Sequence, residues 1–114
     1  MDTQIIRDTI NKNYLAELAS RRFVDLVKAV VDIEREIMAI GGELHADEEA
    51  ALIADGSQQR NLWGINFYPA LTGDDWVEFD SMINVRPSQN NRSRGVEDPS
   101  TQTKIRAIVK KLVE

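Results

Sequence analysis

The stretch VKAVVDIEREIMAIG, residues 27–41, constrains the fold more than any other. It separates two apolar runs, VKAVVDI and IMAI, by only Glu34-Arg35-Glu36, and a connection that short joins antiparallel neighbours. In the first run Val27, Ala29, Val31 and Ile33 point one way, while Lys28, Val30 and Asp32 point the other. The expectation is a two-stranded hairpin ended by Gly41-Gly42. A second hairpin is expected from LWGINFYP (62–69), stopped by Pro69, the turn LTGDD, and WVEFDSMINVRP (76–87). In that last strand Val77, Phe79, Ile83 and Val85 share a face with Ser81. Trp76, Glu78, Asp80, Met82, Asn84 and Arg86 share the other.

Helices fall between and around the hairpins. Asn11 is placed to cap a helix over 12–23, whose Leu15, Leu18, Ala19 and Phe23 follow helical spacing. HADEEAALIAD carries acids in its first turn and is followed by Gly56, which predicts a helix over 46–55. Asp98-Pro99 opens a final helix that buries Ile105, Ile108, Val109 and Leu112 and ends near Lys110 and Lys111. The segment 87–97, PSQNNRSRGVE, has no period and reads as a long loop. The resulting order predicts a single α+β domain over 1–114. It has two layers, a four-stranded, mainly antiparallel sheet packed on three helices. Thr3–Arg7 is a candidate extra edge strand.

Composition narrows the chemistry. A chain of 114 residues buries roughly two-thirds of its unfolded surface, so a core forms without staples. The absence of Cys excludes disulfides and thiolate zinc sites. No run approaches the roughly 20 apolar residues of a membrane span, and MDTQIIRD lacks the regions of a secretory signal, so the expected address is the cytoplasm. The net charge of −5 speaks against general nucleic-acid binding. That average hides a gradient: residues 1–55 hold six basic against twelve acidic groups, and 86–114 hold seven against three. The basic end suits an anion site, or attraction between the two halves on folding or dimerisation.

GGELHADEEA (41–50), LWGINFYP (62–69) and EFDSMINVRPSQNNRSRGVED (78–98) resemble a small bacterial family known as DUF5674, a domain of unknown function. The resemblance extends to the helix before VKAVVDIE and to the closing KIRAIVKKLVE. It implies relatives, and no activity, substrate or cofactor.

Three constellations can carry chemistry. The first is the loop with its flanks, where Asn84, Arg86, Ser88, Asn91, Arg92 and Arg94 offer the forked donors and backbone N–H groups that a phosphate or carboxylate needs. No P-loop pattern is present, and the same guanidiniums equally suit internal salt bridges with the acidic half. The second is His45 among Glu43, Asp47, Glu48 and Glu49, which suits a general acid or base, or a hard divalent cation. With one His and no HExxH spacing, a zinc hydrolase is not indicated, and the acids equally complement a helix dipole. The third is Glu78 and Asp80, about 7 Å apart on one strand face, with Asn84 and Arg86 continuing the row and Asn66 facing it from the neighbouring strand. Trp63, Ile65 and Phe67 read as core, whereas Trp76 and Met82 fall on the polar face, as a dimer contact or a ligand wall.

Two functions follow as expectations. One is binding of a small phosphate- or carboxylate-bearing ligand, including nucleotides, by the 84–95 loop, with His45, Glu78 and Asp80 as catalytic candidates for hydrolysis or transfer and no cofactor specified. The alternative is a non-enzymatic homodimeric or partner-binding module. An RNA-cleaving toxin-like role fits poorly with the acidic net charge.

Overall fold

Each strand of the first hairpin pairs on its outer side as well, which builds an open sheet around it. The computed structural model of the chain describes residues 3–114. Strands β2 (Val27–Asp32) and β3 (Ile37–Ile40) form the expected hairpin. Its turn is held by Asp32, whose Oδ1 accepts from the N–H groups of Glu34 and Arg35 at 2.9 and 3.0 Å. The candidate edge strand is present as β1 (Gln4–Ile6), paired with β3. On the other side β4 (Leu62–Phe67) pairs with β2, and β5 (Val77–Glu78) with β4. The order is β1, β3, β2, β4, β5, antiparallel throughout, so the sheet has five strands where four were expected.

The three helices lie near their expected bounds because their caps are local. They are α1 (Lys12–Arg22), α2 (His45–Ala54) and α3 (Pro99–Leu112). The Asn11 side chain accepts from Tyr14 N–H at 2.8 Å, and Asp98 from Ser100 N–H at 3.1 Å. Helix α2 closes with Gly56 at φ +110°, where Gly56 and Ser57 N–H groups return to the carbonyls of Ile53 and Leu52.

The layering differs from expectation. Helices α1 and α3 cover the face that carries Val27, Ala29, Val31, Met38, Trp63, Ile65 and Phe67. Helix α2 covers the opposite face, where Leu52 packs with Val30, Ile37, Ala39 and Leu62. The sheet is therefore buried from both sides, a three-layer arrangement, which is why β2 and β3 are apolar at positions of both parities.

The expected strand over 76–87 is also corrected, since it ends at Glu78. Val77 belongs to the α1/α3 side and Ile83 packs on the α2 side, so they do not share a face. Ser81 caps a turn at Met82–Asn84 that lies on Gly64 of β4, where a Cβ would overlap the Ser81 side chain. The buried Asn84 then replaces the missing strand. Its Oδ1 accepts from Gly64 N–H at 2.8 Å and its Nδ2 donates to Gly64 O at 2.9 Å, so a side-chain amide completes the ladder.

Candidate functional site

Where β5 ends, the chain leaves a cleft of about 370 Å³ on the α2 side of the sheet. Lys28 and Asn66 floor it, the start of α2 at Leu44-His45 forms one wall, and Glu78 and Asp80–Ile83 with Arg94 form the other. Register explains the floor: Lys28 stands opposite Asn66, and Asn66 opposite Glu78, on three adjacent strands.

His45, the first residue of α2, reaches the sheet and bonds the Ile65 carbonyl through Nε2 at 2.8 Å. A carbonyl only accepts, so Nε2 carries the proton and Nδ1 the lone pair. Burial lowers the pKa of the ring from its ordinary value of 6.5; Lys28 acts in the same direction, and the Ile65 bond, Asn66 and Asp80 oppose it. The imidazole is thus a neutral base.

Glu78 is positioned through one oxygen. Its Oε1 accepts from Asn66 Nδ2 at 2.9 Å and from the Tyr68 hydroxyl at 3.1 Å. Burial and the bond to Glu78 push the Tyr68 pKa up, so the phenol remains a donor. Asp80 pairs with Arg94 Nε at 2.7 Å, and its backbone carbonyl accepts from Asn66 Nδ2 at 3.1 Å. Four of the expected residues, His45, Glu78, Asp80 and Arg94, thus come together from three segments.

Of the remaining loop residues, Asn84, Arg86 and Asn91 are engaged within the chain. Asn91 Nδ2 donates to the carbonyls of Asn84 and Gly95 at 2.7 and 2.8 Å, and Asn84 Nδ2 also donates to Arg94 O at 2.9 Å. Arg86 donates to Gln59 O and Leu62 O at 2.6 Å each while its guanidinium lies 4.2 Å from the Trp63 ring centre. Ser88 and Arg92 are exposed outside the cleft. The N–H groups of Arg92 and Ser93 both donate, at 2.8 Å, to Glu97 Oε2, so the loop's anion cradle holds a carboxylate of its own chain. Bonds from the Ser93 side chain and from these two N–H groups lower the Glu97 pKa.

The acids near His45 do not converge on it. Glu43 lies 3.9 Å from Arg22, and Glu48 points into the protein, its Oε2 accepting from Gly42 N–H at 3.0 Å. Burial raises the Glu48 pKa to about 9. Among the described residues no three His, Cys, Asp or Glu side chains are placed to hold a metal ion. Trp76 is corrected too: it stacks on Phe67 at 4.9 Å and packs against the α1/α3 core, away from the polar row, whereas Met82 is exposed at the cleft rim.

Sequence reasoning passed over Lys28 and Tyr68. The signal for Lys28 was present, as the one basic residue inside an apolar central strand. Its meaning depends on strand register, which only the three-dimensional pairing supplies.

A family model described as a protein of unknown function, DUF5674, matches residues 4–112. No curated protein and no solved structure matches the chain. Among the described residues no helix is long and apolar enough to cross a membrane.

Proposed function

The chain belongs to the DUF5674 family, and from that premise, which leaves the ligand open, we propose that the cleft binds a small carboxylate- or phosphate-bearing molecule and that His45 moves a proton on it. The observation that carries this reading is the neutral imidazole, held by Ile65, at the wall of a cleft whose floor presents Lys28. Lys28 attracts the anionic group. Glu78 receives a ligand donor, and His45 Nδ1 takes a proton from a ligand hydroxyl or a water in the manner of a general base. In this reading the anion site is the cleft, to which Arg94 alone of the 84–95 loop contributes a lining residue.

The test is a thermal-shift screen of the wild type, Lys28→Met and Arg92→Ala against phosphate, small carboxylates and nucleotides, since a ligand of the folded state raises Tm. A rise lost in Lys28→Met and kept in Arg92→Ala supports the reading. The reverse pattern returns the site to the loop.

Leu44 and Met82, 53% and 67% exposed on opposite lips of the cleft, favour a second reading, the homodimeric or partner-binding module. Sedimentation distinguishes it: a dimer that dissociates in Met82→Glu supports it, and a monomer at high concentration removes the homodimer.

A further inference from the structure

The charges lining the cleft are not all answered. Asp80 and Arg94 pair with each other at 2.7 Å. Lys28 and Glu78 have no ion-pair partner among the described residues. The Lys28 ammonium lies 4.8 Å from the Phe23 ring centre, and Glu78 is held through Oε1 by two neutral donors. Both residues stand in one row, Lys28 opposite Asn66 and Asn66 opposite Glu78. That places them two strand spacings apart, roughly 10 Å at the backbone. The amide between them neutralises neither charge: Asn66 Nδ2 donates to Glu78 and to the Asp80 carbonyl, and its Oδ1 takes no hydrogen bond from Lys28.

A ligand that bridges the row needs an anionic end at Lys28 and a cationic end at Glu78. Charge-assisted hydrogen bonds at both ends favour a compact molecule that carries an ammonium and a carboxylate close together, as on one carbon. The four formal charges of the lining cancel, so a polyanion such as a nucleotide meets two carboxylates as well as two cations. Leu26, Leu44, Ala46, Met82 and Ile83 add apolar surface to a lining that also includes Tyr68 and Ser81, and His45 as a neutral ring does not repel an ammonium.

We infer that the ligand is a small zwitterion, an α-amino acid with an apolar side chain, its carboxylate on Lys28 and its ammonium on Glu78. This rests on the reading of the cleft as the binding site. Titration calorimetry of the full chain with leucine, N-acetyl-leucine, leucinamide and inorganic phosphate tests it. Leucine binds, and each blocked analogue binds at least tenfold more weakly. Glu78→Gln abolishes the preference for leucine over N-acetyl-leucine, and Lys28→Met abolishes the preference for leucine over leucinamide. Each is a ratio within one variant and is independent of any change in its stability. If N-acetyl-leucine or phosphate binds as tightly as leucine and loses affinity in Lys28→Met, the zwitterion is wrong and the cleft stands. If none of the four binds, and no nucleotide does, both fail.

Discussion

His45 on α2 donates its Nε2–H to the carbonyl of Ile65 on β4 at 2.8 Å, tying the first turn of the helix to the sheet. One bond fixes the tautomer, orients the ring and forms the junction between the cleft's wall and its floor.

Because this is the chain's one histidine, its titration is read without overlap by NMR. The midpoint is expected below 6.5, chiefly through burial. Lys28→Met raises it and Asp80→Asn lowers it further, following the sign of each charge. A depressed folded pKa means that the unfolded chain binds the extra proton first. The histidine's contribution to stability is therefore present above about 6.5 and is lost as pH falls through that value toward the folded pKa. A midpoint above 6.5 contradicts the assignment of a buried neutral ring.

Glu48 titrates in the opposite sense. Its folded pKa is about 9 against an ordinary 4.5, so the folded state holds a proton that the unfolded state has released. The Glu48 contribution to stability is fully present below about 4.5 and falls by up to roughly 1.4 kcal/mol per unit as pH rises toward 9. Glu48→Gln keeps an acceptor for Gly42 N–H and removes that slope. Urea denaturation of both proteins at pH 5, 7 and 9 checks this, and parallel pH profiles would refute it.

Asn84 and Arg92, neighbours in one candidate loop by sequence, are expected to separate sharply. Asn84→Ala strands the Gly64 N–H and carbonyl and costs about 3 kcal/mol. Arg92→Ala, whose side chain is exposed, stays within about 0.5 kcal/mol. Equal small effects in chemical denaturation would mean that Asn84 does not complete the ladder.

Gly64 and Ser81 are coupled by contact. A Cβ at Gly64 overlaps Ser81 and comes within 3.2 Å of Ile83 Cγ1, so Gly64→Ala costs about 1–3 kcal/mol by overpacking. Adding Ser81→Gly restores part of that loss, and a double-mutant cycle reads the coupling. Additive effects would place Ser81 away from the strand.

What the sequence could show was decided by how local each signal is. Asn11, Gly56 and Asp98-Pro99 satisfy helix ends within a few residues, and all three helices lie near where their caps place them. The hairpin across 27–40 was legible for the same reason. The length of β5 was not, because alternation through Val77, Phe79, Ile83 and Val85 continues while the backbone leaves the sheet and the Asn84 amide takes over its bonds. The second covered face was written in the apolar residues of both parities in β2 and β3, a pattern that a two-layer reading leaves unused. In the loop, residue type told of donors and anions but not of whose they were: Glu97, Gln59 and Leu62 of the chain itself take the bonds. His45 was named from the acids around it and Glu78 and Asp80 from their shared strand face, whereas only the register of β2, β4 and β5 places Lys28 in one row with Asn66 and Glu78.

The most direct test of the cleft as the binding site is to titrate isotopically labelled protein with leucine and, separately, with phosphate, and to map the amide shifts. The account predicts that leucine moves the signals of residues 26–28, 44–46, 66–68 and 78–83 together with the His45 ring. Shifts concentrated in 86–93, or no shift with either compound, would contradict it.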